Sequence, residues 1–231
     1  MLIVSKSKLK SLVGRIAGYV LDEDAHNIHR AMQRRALEDT SLFVEENMYL
    51  TTPFHNKYDL LSHSLKSVTL KSGLYCEFGV HSGSTINHIA ERAPGAVYGF
   101  DSFEGLPEDW RPGVEKGNFA MAALPKVKPN VQLVKGWFNE SLPGFLAANP
   151  GPCSFIHVDC DLYSSTRTIF ELMADRIQPG TVLDFDEFFN YPGWRKGEYL
   201  AFQELLQARG LRFEYLGYVF DHEQVSVRIV E

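Results

Sequence analysis

The stretch Leu-Tyr-Cys-Glu-Phe-Gly-Val-His-Ser-Gly-Ser-Thr at residues 74–85 constrains the fold of this 231-residue chain more than any other. Its pattern predicts a short apolar strand, a tight turn and the start of a helix. Gly79 and Gly83 allow the backbone to turn sharply and to approach a ligand closely. Ser84 or Thr85 is expected to cap the helix. A strand, a glycine turn and a helix N-terminus are the parts of a nucleotide-type site in an open α/β sheet.

The turn itself is neither a dinucleotide fingerprint nor a P-loop. Counting G-x-G-x-x-G from Gly79 places His81 and Ser84 where glycines are required, and the lysine of a phosphate-binding P-loop is missing. Instead, Glu77 lies near the carboxyl end of the predicted strand. A carboxylate at this position suits a ligand that carries an amine or hydroxyl groups, rather than a pyrophosphate.

Strand and helix patterns alternate along the rest of the chain. This alternation predicts a parallel sheet with helices on both faces, and a hairpin-length connection makes the last strand antiparallel. The fold class is therefore α/β: a Rossmann-like, seven-stranded, mostly parallel sheet with a C-terminal antiparallel hairpin. The predicted strands are 73–79, 96–101, 131–135, 154–159, 181–186, 211–219 and 223–230, and the predicted helices are 56–68, 84–93, 140–148, 163–176 and 197–209.

Residues 1–70 are predicted to form a helical N-terminal extension packed on the core, and residues 71–231 the main domain. Apolar residues at helical spacing over residues 5–20 predict an amphipathic helix. We interpret this helix as packing on the core or on a second subunit, and we expect the protein to be a homo-oligomer. The alternative is a helix that lies on a membrane surface. Residues 22–50 are predicted to form a further, polar helix.

The amino-acid composition limits which classes of protein this chain is able to belong to. A content of 45% hydrophobic residues is enough for one globular domain with a large core, and a net charge of −6 makes nucleic acid an unsuitable partner. No apolar run reaches the length of a transmembrane helix. Cys76, Cys153 and Cys160 form no C-x-x-C pair, which favours buried thiols in a reducing compartment such as the cytoplasm.

Carboxylates stand at the ends of four predicted strands: Glu77, Asp101, Asp159 and Asp186. Ligands of open α/β sheets bind outside the carboxyl ends of the strands. An unpaired carboxylate in a buried strand is unfavourable, so four acids at one edge of the sheet indicate a binding site.

Three of these acids, Asp101, Asp159 and Asp186, each allow two interpretations. Asp101 suits the hydroxyls of a ribose, and the alternative is a cap for the loop at 102–106. Asp159, Asp186 and Glu187 end two neighbouring strands and are able to hold a hard divalent cation together. The alternative is that Asp159 only orients the ligand and Asp186 caps the next loop.

Other polar and aromatic residues near the strand ends are weaker candidates. His81 is expected to contact the ligand from the glycine turn, whereas His157 is expected to be a buried, satisfied histidine. Trp137 and Phe138 follow the third strand and suit either stacking on a purine or a place in the core. Asp161 and Asp184 are weaker still, since they are expected to point away or to lie in the following turn.

Four segments carry a resemblance to a known family. Residues 77–84 (Glu-Phe-Gly-Val-His-Ser-Gly-Ser) resemble motif I of class I S-adenosylmethionine-dependent methyltransferases. Residues 99–107, 136–143 and 159–166 resemble the macrocin O-methyltransferase (TylF-type) family. The resemblance covers about residues 73–190.

The resemblance implies a seven-stranded sheet with a final antiparallel strand and a cofactor, S-adenosylmethionine. It implies that Glu77, Gly79 and Gly83 bind the methionine part and that Asp101 binds the ribose. Gly136 and Trp137 would then lie near the adenine. The full set of expected cofactor-binding residues is Glu77, Phe78, Gly79, His81, Gly83, Ser84, Asp101, Ser102, Phe103, Gly136, Trp137, Phe138 and Asp159.

The resemblance also implies an activity, the O-methylation of a hydroxyl on a small molecule, such as a sugar or a secondary metabolite made in natural product biosynthesis. Several members use Mg²⁺ held by the acid that matches Asp159 and by an Asp-Asp pair. This sequence has Asp186-Glu187 at that pair, so the expected metal ligands are Asp159, Asp186 and Glu187. Asp159 is also the expected catalytic base. The loops at 102–129 and 188–196, the latter with Tyr191 and Trp194, are expected to shape the acceptor pocket.

Two other classes of protein remain as alternatives. The first is a nicotinamide-dependent oxidoreductase on a Rossmann sheet, which the missing glycines and the final hairpin disfavour. The second is a non-catalytic protein that keeps the fold for assembly through its N-terminal helices, which the four acids at strand ends disfavour.

Overall fold

The structure is a computed structural model that describes residues 26–231 together with Lys10. The amphipathic helix predicted for residues 5–20 therefore lies, apart from Lys10, outside the described residues. The same holds for the first residues of the helix predicted at 22–50.

The described residues contain one eight-stranded sheet. Its strands are β1 (Pro53–Phe54), β2 (Leu74–Phe78), β3 (Val97–Asp101), β4 (Val131–Lys135), β5 (Cys153–Val158), β6 (Val182–Phe185), β7 (Phe213–Val219) and β8 (Val225–Ile229). Their order across the sheet is β1-β7-β8-β6-β5-β2-β3-β4. Both β6 and β7 pair antiparallel with β8, and every other pair is parallel.

The predicted fold class is confirmed, and the strand count is corrected from seven to eight. The additional strand is β1, which pairs parallel with β7 at Tyr218 and Val219. A strand of two residues is too short to show the alternation of apolar and polar residues that predicts strands, so it was not found from the sequence. Pro53 lacks a backbone N–H, and it is tolerated here because β1 is an edge strand.

Six α-helices of the described chain cover the two faces of the sheet. They are α1 (Ile28–Asn47), α2 (Lys57–Ser67), α3 (Ser84–Ala90), α4 (Phe138–Ala148), α5 (Tyr163–Met173) and α6 (Glu198–Arg209). Helices α2 and α3 pack on one face, and α4, α5, α6 and the end of α1 pack on the other. None of the described helices is both long and apolar enough to cross a membrane.

Helix α3 begins differently from the prediction. Its N-cap is Gly83 at φ +82°, and no side chain caps the helix, so Ser84 and Thr85 do not have the predicted role. The left-handed backbone conformation at this position favours glycine, which has no Cβ atom.

Two apolar clusters form the core, one on each face. On the α2 face the cluster contains Leu61, Ile86 and Phe155, and on the opposite face it contains Phe78 and Phe185. The three cysteines are buried and free, as predicted. The division of the chain at residue 70 stays a prediction, although α2, which precedes it, packs on β6, β7 and β8.

A row of polar side chains interrupts the apolar core on the α2 face. The strand register places Glu77 beside His157, His157 beside Asp184, and Asp184 beside Ser226. The hydroxyl of Ser64 on α2 lies 2.5 Å from Asp184 Oδ2 and 2.7 Å from Ser226 Oγ. Burial raises the pKa of Asp184 to about 7. Helix α2 is therefore attached to the sheet by buried hydrogen bonds as well as by apolar contacts.

Replacing Ser64 by alanine tests this attachment. Ser64→Ala leaves the buried Asp184 and Ser226 without their shared partner, which we expect to lower the free energy of unfolding by about 1–3 kcal/mol. The matched control is Ser67→Ala, since the Ser67 hydroxyl binds only the carbonyl of His63 on its own helix. Urea denaturation measures both variants, and equal effects would contradict the expected attachment.

Candidate active site

The carboxyl ends of the central strands border a cavity of about 650 Å³. This edge is where the sequence placed a site, because parallel strands present their carboxyl ends together. Of the expected cofactor-binding residues, Glu77, Phe78, Gly83 and Phe103 do not line the cavity. Those that line it are Gly79, His81, Ser84, Asp101, Ser102, Gly136, Trp137, Phe138 and Asp159.

The turn at Gly79 is pressed against the end of β5. Gly79 has φ +92°, and a Cβ atom there would lie 1.6 Å from the carbonyl oxygen of Asp159. Its N–H donates to the carbonyl of Phe100, and the N–H of Asp159 donates to the carbonyl of Phe78, both at 2.9 Å. Only glycine fits this position, so the turn brings the end of β2 directly beside the first acid after β5.

Asp101 organises the same turn. Its Oδ2 accepts hydrogen bonds from the N–H groups of Val80 and His81 at 2.9 and 2.8 Å, and its Oδ1 accepts one from Phe103 at 2.7 Å. The cap that was the alternative for Asp101 is therefore present. Its carboxylate also lines the cavity, so the cap and ligand roles are compatible.

Glu77 lies beneath the cavity and is fully buried. Its Oε1 accepts a hydrogen bond from Nδ1 of His157 at 2.8 Å, while its Oε2 has no partner among the described residues. Burial opposes the charged imidazolium, but the hydrogen bond and charge of Glu77 raise the pKa of His157 to about 9. His157 is buried as predicted, yet it is only half satisfied, because its Nε2 has no partner within the described part of the chain.

Five carboxylates converge beyond Gly79: Asp159, Asp161, Asp186, Glu187 and Glu198. Burial, followed by neighbouring acids, raises the pKa of Asp159, Glu187 and Glu198 well above the ordinary range. Burial raises the pKa of Asp161 to about 7. Mutual repulsion of this kind is relieved by a cation or by donors on a bound ligand.

The acids fall into two groups, and both include Asp159. Ligand atoms of His157, Asp159 and Asp186 lie within 4.8 Å of one another, and so do those of Asp159, Asp161 and Glu187. Asp186 and Glu187, which were expected to act together, belong to different groups. The second group offers only oxygen atoms, and Oε2 of the buried Glu187 has no partner in the described residues. Such a donor set fits a hard divalent cation.

Two charged residues at the site, Glu198 and Lys57, were not found from the sequence, and a third, Asp161, was underrated. Asp161, a weak candidate there, lines the cavity because a left-handed φ of +65° redirects the chain at this residue. Glu198 accepts a hydrogen bond from the N–H of Glu187 at 3.3 Å. Lys57 reaches Asp186 from α2, with Nζ 3.3 and 3.4 Å from the two carboxylate oxygens. Nothing in the local sequence of Lys57 signals this contact, since its partner lies 129 residues away.

The loop at 102–129 closes one side of the cavity. Arg111 donates to both carboxylate oxygens of Glu223, at 3.0 and 2.6 Å, and its guanidinium lies between the rings of Trp110 and Tyr191. Trp110 lines the cavity, as expected for this loop. Trp194 does not line it; the indole is buried and packs against Phe43 at 5.3 Å between ring centroids.

The pH dependence of stability tests the charge on His157. Because the folded pKa of about 9 exceeds the ordinary value of 6.5, the protonated ring stabilises the fold. This contribution is complete below about pH 6.5 and is lost as the pH rises through about 9. We expect the difference in unfolding free energy between wild type and His157→Gln to shrink across this range in urea melts. A difference that grows or stays constant would show that His157 is neutral in the fold.

Comparisons with known proteins agree with the geometry. Residues 76–188 match the model of a family described as a methyltransferase domain. A curated relative from Streptomyces olivaceus, 8-demethyl-8-(2,3-dimethoxy-alpha-L-rhamnosyl)-tetracenomycin-C 4'-O-methyltransferase, is 32% identical over 111 residues. That match covers 40% of this chain and spans 41% of the length of the relative.

Two solved structures show the same fold. CalS11, a calicheamicin methyltransferase, superposes with a TM-score of 0.61 at 20% identity, covering 98% of this chain and 94% of its own. An O-methyltransferase from Bacillus cereus, solved in complex with SAH, gives a TM-score of 0.51 at 16% identity over 87% of this chain and 91% of its own. The sheet of this protein thus has the same Rossmann-like fold as these two methyltransferase structures, and residues 76–188 are similar to the methyltransferase domain family.

Proposed function

We propose that this protein transfers a methyl group from S-adenosylmethionine to a hydroxyl of a small molecule. The observation that carries the proposal is the continuous cavity from the Gly79 turn to the carboxylates around Asp159. One part of this cavity suits the cofactor, and the other brings acids to where an acceptor hydroxyl would lie. The oxidoreductase and the non-catalytic alternatives find no comparable support in the site.

The cofactor is proposed to lie along the ends of β2, β3 and β4. Asp101, at the end of β3, faces the cavity where a ribose would be bound, and Gly136, Trp137 and Phe138 supply an apolar wall for an adenine. The partnerless Oε2 of Glu77 is an acceptor that fits the ammonium of a methionine group. SAH in the B. cereus structure supports the same cofactor class here.

The acceptor is proposed to enter beside Asp159 and beneath the loop at 102–129. Asp159 and Asp161 line this end of the cavity together with Trp110. Carboxylates that accept hydrogen bonds and an aromatic wall suit a hydroxylated ring, such as a sugar. The name of the curated relative, a 4'-O-methyltransferase of a rhamnosyl compound, supports a sugar or secondary metabolite as the acceptor. The TylF-type subfamily is proposed on the resemblance of residues 99–107, 136–143 and 159–166.

The chain supplies positioning and a proton acceptor for this reaction. The sulfonium of the cofactor carries a methyl group that is already activated. The cavity orients the acceptor oxygen in line with that methyl group and excludes water, which accounts for much of the rate. As the new carbon–oxygen bond forms and the carbon–sulfur bond breaks, the hydroxyl loses its proton. Asp159 is the proposed acceptor of this proton.

A divalent cation is proposed to bind at the acids that include Asp159, Asp186 and Glu187. The oxygens of Asp159 and Glu187 meet in one group, and Asp186 meets Asp159 in the other. Oxygen ligands suit Mg²⁺, which would lower the pKa of a bound hydroxyl. The group of Asp159, Asp161 and Glu187 therefore fits the metal that the resemblance implies, whereas Asp186 lies in the other group.

We also propose that the protein is a cytoplasmic homo-oligomer. Three free, buried thiols support a reducing compartment. Apolar side chains exposed on and after α1, with Ile28 at 77% and Leu50 at 93% exposure, support an interface there. Light scattering of the full chain in solution determines whether it self-associates.

Titration calorimetry with SAH tests the cofactor. We expect wild type to bind SAH with a dissociation constant of tens of micromolar or lower. Asp101→Ala should weaken binding at least about tenfold, because hydrogen bonds to a charged group contribute about 1.5–3 kcal/mol each. Asp109→Ala is the control, since Asp109 is exposed and binds only the N–H of Lys116. No binding by wild type, or unchanged affinity in Asp101→Ala, would rule out the assignment.

Turnover of sugar-bearing acceptors, followed by mass spectrometry, tests Asp159. Asp159→Asn should lower methyl transfer by about 100-fold or more, as expected for the loss of a general base. The exposed Asp175→Asn serves as the control. Loss of activity with a chelator and recovery with Mg²⁺ would support the metal. Full activity of Asp159→Asn would contradict its role.

A further inference from the structure

Lys57 lies at a defined place above the acid cluster. It is the first residue of α2, directly after the N-cap Asn56, whose Oδ1 accepts a hydrogen bond from the N–H of Asp59 at 3.0 Å. Two turns further along the same face, Ser64 is bonded to Asp184 and Ser226. The helix that carries Lys57 is therefore fixed at its cap and at its middle.

The ammonium of Lys57 is held by Asp186. Nζ lies 3.3 and 3.4 Å from the two oxygens of Asp186, so that it is shared between them. The Lys57 side chain is 33% exposed and that of Asp186 10%, which makes this ion pair partly buried. Lys57 also lines the cavity with Asp159 and Glu187. Burial opposes its charge, but these acids outweigh it and raise the pKa of Lys57.

No other lysine or arginine among the described residues lines the cavity. Arg111, on the loop side, directs its guanidinium at Glu223. Lys57 is therefore the one ammonium of the described cavity lining, while the charges of Arg111 and His157 act on Asp161 and Asp159 from outside that lining. The position of that ammonium is informative, because it lies on Asp186 and not on the group of Asp159, Asp161 and Glu187.

We infer that Lys57 is a tethered cation that competes with a divalent metal for Asp186. The inference rests on the proposed function, since it concerns the proposed metal. A metal at the group of Asp159, Asp161 and Glu187 leaves the ion pair between Lys57 and Asp186 intact, whereas a metal on Asp186 has to displace the ammonium. Lys57 is in this sense a positioning residue: it decides which acids a metal is able to use.

The geometry separates this role from that of an ordinary surface ion pair. A surface pair contributes little and is screened by solvent, and its loss leaves metal binding elsewhere unchanged. A tethered cation at the cluster repels a divalent ion over a few ångström, and removing it should strengthen metal binding.

Binding of Mn²⁺ to the full chain, followed by electron paramagnetic resonance, is the test. We expect Lys57→Met to bind Mn²⁺ at least about tenfold more tightly than wild type, because a like charge within a few ångström is removed. Lys57→Arg keeps the charge and should match wild type. Lys66→Met is the matched control, since Lys66 is an exposed lysine in the last turn of the same helix.

A double-mutant cycle shows whether Lys57 acts through Asp186. In the Asp186→Asn background, Lys57→Met should lose most of its gain in Mn²⁺ affinity, because the acid that it frees is absent. The inference would be overturned if Lys57→Met bound Mn²⁺ no more tightly than wild type. It would also be overturned if no variant bound Mn²⁺. SAH titration of the same preparations keeps the outcomes separate: SAH binding without the Mn²⁺ effect rejects the role of Lys57 alone. If the wild type does not bind SAH, the proposed function is rejected.

Discussion

The contact between Gly79 and the carbonyl of Asp159 is the constraint on which the site depends. With φ +92° and no room for a Cβ, this glycine joins the turn after β2 to the end of β5. Asp101 holds the same turn from the β3 side through the N–H groups of Val80 and His81. The proposed cofactor region and the acid cluster are consequently parts of one rigid edge of the sheet.

Charge beneath and beside this edge has to be compensated, because buried unpaired carboxylates destabilise a fold. Beneath it, Glu77 is compensated by His157. Beside it, Asp186 is compensated by Lys57, while Glu187 and Glu198 each keep an oxygen without a partner among the described residues. The compensation is incomplete on the cavity side, where a proposed metal or acceptor would complete it. The proposed function and the stability of the fold therefore place opposing demands on the same group of acids.

Much of the fold was predictable from the sequence, because the hydrophobic periodicity of strands and helices and the residue preferences of turns are local properties. The strand at 131–135 was predicted to the residue, and the other long strands to within about two residues. Local patterns do not report partners that are distant in the chain, such as Lys57 with Asp186 or Arg111 with Glu223. They also do not give the backbone angle that turns Asp161 toward the cavity, nor the packing that places Trp194 in the core. For these reasons the sequence places the candidate site at the strand ends but does not identify Lys57, which lies beside its acids.

A crystal structure of the full chain grown with SAH would show whether one cavity joins a cofactor to the acids around Asp159. We expect SAH in this cavity, with its ribose at Asp101, its amine toward Glu77 and its sulfur directed to the side of Asp159. Density for SAH at another place on the protein, or a bound orientation with the sulfur directed away from Asp159, would show that the cavity does not bring the methyl donor to these acids.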